Sequence, residues 1–411
     1  MVRKRKLTKK ETWQSFLQQQ QQMPIRIAKN QPEPAGSGEG GGPPPLSPEL
    51  RDIQIPIDIG MYNTISVIEA LKVRYPLPSF IKDMFFSARD YSPADVVQVD
   101  VKRGNRKLAP FVTPMEGQVV GRRRPFLRTF VEAPTLAPAR VITLREVSRP
   151  FWGETNYDYY TPEERVANMF AEDTEDMDDE ITRSEEWMCC RTMFYGNFDI
   201  NYRTRSSVRV DYGFTNLTAV GDRWDNPGAM GDANVPNPFD DLHAAQQGLN
   251  ENGYHGNVAI YGWKAWNALW KNPYVRDVMK NISMLTPVSS YRLPEALPAG
   301  VAQGPSFTYP VMDNYIYTGT VWNSATGRNE YLVPPDRVLI GSSDVKNRLV
   351  YAIVIQIEQA DNKWHSYMAD RVPKVEANVN KNFYMYTTTA RPVPLPIDLL
   401  SWTVLTGVCA P

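Results

Sequence analysis

The sequence predicts a mixed α+β fold, with helices and strands grouped in separate stretches of the chain. Three observations carry that expectation. A capped, acid-rich helical run covers residues 161–195. Alternating apolar and polar residues mark strands near residues 97–101, 197–213 and 383–388. A short apolar strand followed at once by a helix covers Val258 to Trp270. At about 100–200 residues per domain, 411 residues make two or three domains.

Composition sets the bounds. The chain is 42% hydrophobic and 22% charged, enough apolar material for a core. Lys+Arg is 45 and Asp+Glu is 46, so the net charge of -1 argues against a chain that coats a polyanion along its whole length. There is no run of 18 apolar residues, and no membrane helix is expected. Arg3, Lys4, Arg5 and Lys6 are not followed by an apolar region, which speaks against a secretory signal. Three cysteines, with Cys189 and Cys190 adjacent, fit a reducing compartment without a disulfide framework. His243, His255 and His365 are scattered, which argues against metal-dependent or histidine-based catalysis, and neither a cofactor nor a metal is expected. The 34 prolines and 11% aromatics suggest stiff, irregular segments and large contact surfaces.

Residues 1–30 form a basic, Gln-rich tail with a short helix possible over Glu11–Gln22. It reads either as a solvated tail or as a basic arm touching nucleic acid or a partner. Residues 31–48 are a Pro/Gly linker. Gly36-Ser37-Gly38-Glu39-Gly40-Gly41 matches G-x-G-x-x-G there, but no strand precedes it and three prolines follow, so it is linker. Helices are expected near Tyr62–Lys72 and Ser79–Ser87. Residues 95–147 read as extended, with Val97, Val99 and Val101 alternating. Within 100–128 that segment carries Lys102, Arg103, Arg106, Lys107, Arg122, Arg123, Arg124 and Arg128 against only Asp100 and Glu116. A basic hairpin so poor in apolar residues has no core of its own and must lie on something else.

Thr161-Pro162-Glu163-Glu164 starts the clearest helix, with a cap, a proline at its first position and a capping-box glutamate. Val166, Phe170, Met177, Ile181 and Met188 form one apolar stripe. Glu163, Glu164, Glu172, Asp173, Glu175, Asp176, Asp178, Asp179, Glu180, Glu185 and Glu186 fill the rest, and Gly196 marks the stop. A hairpin is expected over 197–213 with its turn near Arg205-Ser206-Ser207, and a polar loop over 214–236. Asn237-Pro238 opens a helix running to Gly253, Val258–Tyr261 is a buried strand, and Trp263, Trp266, Leu269 and Trp270 share a helix face. Asn272-Pro273 starts another helix. Strands follow at Asn314–Trp322, Glu330–Val333, Val338–Ile340, Leu349–Ile357, Phe383–Thr388 and Leu399–Leu405.

No P-loop, H-E-x-x-H, G-x-S-x-G or C-x-x-C occurs, so no catalytic residues are assigned and the chain is not expected to be an enzyme. The sequons at Asn216 and Asn281 read as chance matches. Cys189-Cys190 could be a reactive pair or simply semi-buried. His255 could be a site residue or a turn cap. Asp178-Asp179-Glu180 could bind a cation or form a partner-facing surface. The tryptophan stripe could stack bases or sugars, or belong to the core. What remains is a charge relation. A basic extended segment precedes an acidic helix that it could not easily fold back along, but the helix of a second copy is within reach. Such complementarity sets partner and register, and a head-to-tail contact builds rings or shells.

Several stretches resemble the major capsid proteins of tailed bacteriophages, in the lambda-like family with the Hong Kong 97-type fold. Phe111-Val112-Thr113-Pro114-Met115-Glu116-Gly117-Gln118-Val119-Val120 resembles the turn region of that family's extended loop. Leu332-Val333-Pro334-Pro335-Asp336-Arg337-Val338-Leu339-Ile340-Gly341 resembles a strand motif of its axial domain. The Val258–Trp270 unit and the closing strands over Arg371–Leu405 also fit. The resemblance implies a tail and linker over 1–48, an N-terminal arm over 49–94 and an extended loop over 95–147. A peripheral domain with a spine helix would cover 148–220, an axial domain 221–370, and strands returning to the peripheral domain 371–411. It implies a shell-forming protein working through hexamers and pentamers, with an icosahedral head as product. Partners would be copies of itself, a portal, a scaffold or protease, a decoration protein, and packaged double-stranded DNA inside, with assembly in the host cytoplasm. Lys102, Arg103, Arg106, Lys107, Arg122, Arg123 and Arg124 would dock on Glu172, Asp173, Glu175, Asp176, Asp178 and Asp179 of a neighbour. The long front segment departs from the family pattern. The alternative reading is a nucleic-acid-binding protein using the basic tail.

Overall fold

A computed structural model describes residues 77–101, 127–149, 161–201, 207–226, 236–285, 297–298, 300–305, 310–323, 327–358 and 362–410. The chain divides into two units, Met1–Asn63 and Thr64–Pro411, and every described residue belongs to the second. The expected helices at 11–22 and 62–72, the linker at 31–48, the loop motif at 111–120 and the turn residues Arg205 and Ser206 lie outside the described residues.

The longest described helix, α3 (Pro162–Tyr195), follows α1 (Phe80–Phe85) and α2 (Leu144–Val147) in the chain. Its 34 residues span about 50 Å at 1.5 Å per residue. Thr161 and Glu164 form the expected capping box, with Pro162 at the first position. Gly196 closes the helix in the left-handed region at φ 69°, its N–H bonded to the Thr192 carbonyl. The stop is steric as well as conformational, because a Cβ at Gly196 would sit 2.1 Å from Phe214 Cβ.

A six-stranded sheet lies against the C-terminal half of α3. Its order is β7 (Leu217–Ala219), β20 (Trp402–Thr406), β13 (Val338–Gly341), β8 (Val258–Tyr261), β10 (Asp313–Tyr317) and β9 (Val301–Gln303). Strands β8 and β10 are parallel, and β13 runs antiparallel to both β8 and β20. The period of two sends successive residues to opposite faces. Val258, Ile260, Leu339, Trp402 and Val404 meet Cys189, Cys190, Met193 and Phe194 of α3 and Phe80, Ile81 and Phe85 of α1. Ala259, Tyr261, Val338, Ile340 and Leu405 meet α4 (Pro238–Glu251), α5 (Trp263–Lys271) and α6 (Pro273–Leu285). Both faces are covered, so β8 and β13 are buried at every position, as their unbroken apolar runs require.

Smaller sheets surround this layer. Strand β1 (Ala88–Ser92) runs parallel to β14 (Arg348–Ala352), which pairs on its other edge with β19 (Pro392–Leu395). Strands β2 (Val96–Val101) and β3 (Leu127–Glu132) form the base of the extended segment, and β5 (Asn197–Asn201) pairs with β6 (Ser207–Asp211). Val97, Val131, Met188, Phe198, Val210, Val350 and Val393 share one apolar cluster. The base of the basic hairpin therefore packs on its own chain, α3 included. The third group, β17 (Val372–Asn378), β18 (Phe383–Thr389) and β4 (Ala139–Thr143), covers the N-terminal half of α3. There Phe170 stands edge-on to Tyr384 and Tyr386, with ring centroids 6.2 and 5.4 Å away.

Several expectations need correction. Glu185 and Glu186 lie in the core at 0% exposure and not among the solvated acids. The tryptophan stripe is only half-buried: Ala265, Ala268 and Leu269 make the buried face of α5, because small residues let the helix approach the sheet. The 214–236 stretch contains strand β7. Asn314–Trp322 is two strands, β10 and β11 (Thr320–Asn323), the latter paired with β12 (Arg328–Tyr331). Leu349–Ile357 likewise breaks into β14 and β15 (Val354–Ile357), which pairs with β16 (Trp364–Tyr367). The closing segment splits. Residues 372–389 join β4, whereas 402–406 enter the six-stranded sheet beside β13. Leu144 belongs to α2, whose Thr143–Glu146 capping box ends β4.

The buried glutamates tie these parts together. Glu186 accepts hydrogen bonds from the Ile81 amide (2.9 Å), the Lys82 amide (2.8 Å) and the Tyr317 hydroxyl (2.9 Å). Glu185 accepts from Lys82 Nζ (3.3 Å), Tyr351 OH (3.1 Å) and Arg371 Nη1 (2.7 Å). Burial pushes the Glu186 pKa above its ordinary 4.5, against the pull of the two amides and Tyr317.

Two outcomes follow from this packing. Gly196→Ala is expected to cost at least about 1–3 kcal/mol, from the left-handed backbone and the Phe214 clash, read as a lower urea midpoint at unchanged slope. For Glu186 the folded pKa is the higher one, so the native chain binds the proton first. Its contribution to stability is then greatest at low pH and declines as pH rises through the window that starts near 4.5. Glu186→Gln should flatten the stability–pH slope in that window, measured by urea unfolding at a series of pH values.

Candidate intersubunit interface

The acids of α3 fall into two groups. At its C-terminal half, charge is consumed inside the chain. Asp178 bonds Arg371 Nε at 2.6 Å, and the same guanidinium reaches Glu185 at 2.7 Å and Thr182 at 3.3 Å. Asp179 is buried and pairs one turn on with Arg183 at 3.6 Å. Glu180 holds Arg140 of β4 at 2.5 Å. Asp178-Asp179-Glu180 is thus met by three arginines, and no metal-holding cluster occurs among the described residues. The pull of Glu185 and Asp178 outweighs burial and raises the Arg371 pKa, so that side chain stays charged.

At the N-terminal half, the acids face outward. Glu163 and Glu175 are exposed, and Glu172, Asp173 and Asp176 are half-buried. Glu172 and Asp173 line a cleft between α3 and β4 together with Glu146, Met169, Val141, Ile142 and Arg140. Burial pushes the Asp173 pKa up, and Arg140 opposes that shift. The cleft combines an apolar floor with a carboxylate rim, a surface that accepts the long stem and charged head of an arginine or lysine.

Of the residues assigned to the interface, Glu172, Asp173, Glu175, Asp176, Asp178 and Asp179 share α3, on which Asp178 and Asp179 are engaged by the same chain's arginines. Lys102, Arg103, Arg106, Lys107, Arg122, Arg123 and Arg124 lie outside the described residues. Sequence reasoning missed Arg371, Arg140 and Lys82 as partners. Arg371 and Asp178 are 193 residues apart, and no local pattern signals such a pair. Only Arg183, four residues after Asp179, was readable.

The other candidates show no reactive arrangement among the described residues. Cys189 and Cys190 are fully buried, and burial raises both thiol pKa values, so neither is poised as a nucleophile. Trp266 packs edge-on against Tyr261 and Trp270, and Trp263 tilts against Tyr331. His255 is exposed in the turn between α4 and β8, next in sequence to Tyr254, whose hydroxyl donates to Asp398 at 2.8 Å.

Comparison with known proteins gives consistent findings. The family model for phage major capsid protein E matches residues 63–400. No curated protein matches by sequence. Among solved structures, a proposed prophage capsid protein from E. coli CFT073 aligns with a TM-score of 0.55 at 13% identity, covering 81% of this chain and 94% of that one. The capsid of a native GTA particle aligns at 0.46 with 12% identity, over 87% and 98% of the two chains. The capsid of cyanophage P-SCSP1u aligns at 0.46 with 11% identity, over 85% and 94%. The first of these shows the shared Hong Kong 97-type fold. Nothing in them supports the nucleic-acid-binding alternative.

One expected outcome concerns Arg371. Arg371→Met leaves the buried Glu185 with Lys82 as its remaining cation beside the Tyr351 hydroxyl, and should cost about 3 kcal/mol, read by chemical denaturation.

Proposed function

We propose a mode of assembly for this chain, which belongs to the phage major capsid protein E family and is a shell-forming capsid subunit. Copies join head to tail, the basic loop of one lying over the acidic helix of the next. Hexamers and pentamers formed in this way close into an icosahedral head. The observation that carries the reading is the cleft beside β4 on the first half of α3. Glu172 and Asp173 line it, and the exposed Glu163 and Glu175 stand on the same half. The loop brings the opposite sign, with Lys102, Arg103, Arg106, Lys107 and Arg122 to Arg124. Complementary charge of this kind selects register and steers encounter, and a heterologous contact closes into rings and shells.

The same reading places double-stranded DNA on the inner face. It names a portal, a scaffold or protease, and a decoration protein as further partners, with assembly in the host cytoplasm. A chain of net charge -1 suits a container, because it limits adhesion to the packaged polyanion while the basic tail remains available for local contact.

Reversal of Arg122, Arg123 and Arg124 to Glu should give a folded, soluble subunit that makes no particles by light scattering and negative-stain microscopy. Normal shells from that variant would refute the loop-on-helix contact. Adding Glu172→Lys, Glu175→Lys and Asp176→Lys to the same chain should restore part of the assembly, and the contact should weaken with added salt.

A further inference from the structure

The short helix α1 has six residues, well below the length of about 12–15 at which isolated helices become even marginally stable. Its first-turn amides need acceptors. Ser79, at the cap position, has φ -145° and ψ 16° and makes no side-chain cap bond. The acceptor comes from α3. One carboxylate, Glu186, takes the amides of Ile81 and Lys82, 105 and 104 residues away in sequence. These are the second and third helical positions, whose amides a local cap residue normally receives. The same carboxylate takes the Tyr317 hydroxyl and the Cys190 thiol, at 2.9 and 3.8 Å.

We propose that Glu186 is the N-cap of α1, supplied from another element, so that α1 persists only while docked on α3. The contact is then a latch that opens and closes as a unit, carrying Phe80, Ile81, Phe85 and Phe86 into or out of the core. Charge around it is balanced. Lys82 and Asp83 face it from α1. Glu185, Cys189, Cys190 and Arg191 lie beside it on α3, with Tyr317 on β10, Tyr351 on β14 and Arg371 before β17. Two cations, Lys82 and Arg371, pair with Glu185, while Glu186 is held by the two amides and the Tyr317 hydroxyl. Docking α1 thus brings in both a cation for Glu185 and two amides for Glu186. Neither partner is complete without the other.

The test is hydrogen exchange followed by mass spectrometry on the full-length chain, as soluble subunit and as assembled particle. Glu186→Gln keeps the shape but replaces one acceptor oxygen with a donor. Exchange in α1 should accelerate at least ten-fold while β8 and β13 keep their rates. Lys82→Met removes the bond to Glu185 but keeps the amide that Glu186 receives, and should leave α1 within about three-fold of the parent. Ser79→Asp, which gives α1 a local cap, should restore protection in the Glu186→Gln chain. Parent-like exchange in Glu186→Gln, equal acceleration in Lys82→Met, or no rescue by Ser79→Asp would each overturn the latch. Should Glu186→Gln alone yield no soluble protein, its recovery in the double variant with Ser79→Asp supports the latch, and continued failure overturns it.

Discussion

Two consecutive carboxylates in the middle of a helix, both without solvent, are the constraint on which this structure turns. Removing an ion from water costs several kcal/mol even after relaxation. Glu185 and Glu186 offset that only because other elements bring donors to them. Lys82 and two amides come from α1, Tyr317 from the six-stranded sheet, Tyr351 from the β1–β14–β19 sheet, and Arg371 from the position just before β17. Adjacent residues on a helix point about 100° apart, so the pair reaches in two directions. Glu186 gathers α1 and β10, while Glu185 gathers α1, β14 and the residue just before β17. The apolar clusters then have fixed walls against which to pack.

The same helix separates two tasks along its length. Near Gly196 it is a core element, with Met188, Cys189, Cys190, Met193 and Phe194 buried between sheets. Near Thr161 it is a surface element resting on β4 and β18 by the contacts of Phe170 with Tyr384 and Tyr386 and a few polar ones. Arg371 marks the changeover, because its guanidinium spans the exposed Asp178 and the buried Glu185.

Much of the secondary structure was legible because it depends on local chemistry. The Thr161–Glu164 box, Pro162, the left-handed Gly196, the Asn237 cap and the apolar run Val258–Tyr261 each act within a few residues. Their signals survive folding unchanged. At both breaks the pairing partner changes: Leu349–Ile357 stays apolar across its break and gives no local sign of it, whereas Thr318-Gly319 was the one local sign of the break within Asn314–Trp322. The tryptophans of α5 misled for a related reason. Periodicity identifies a face but not how near that face stands to the sheet, and close approach favours Ala265 and Ala268 over indole rings.

The sequence by itself determined the α+β class, the long capped helix, the segregation of basic loop from acidic helix, and the order of elements that resembles the capsid fold. Those features depend on composition and on spacings of two to four residues. Only the tertiary structure decided which acids of α3 are spent inside the chain, that 402–406 joins β13, and that α1 is capped from α3. Apart from Asp179 with Arg183, each of these joins residues 40 to 193 apart, for which the sequence carries a residue type but no address. A glutamate reads the same whether water or two backbone amides will surround it, and only the packing of α1 and the sheets against α3 removes the water.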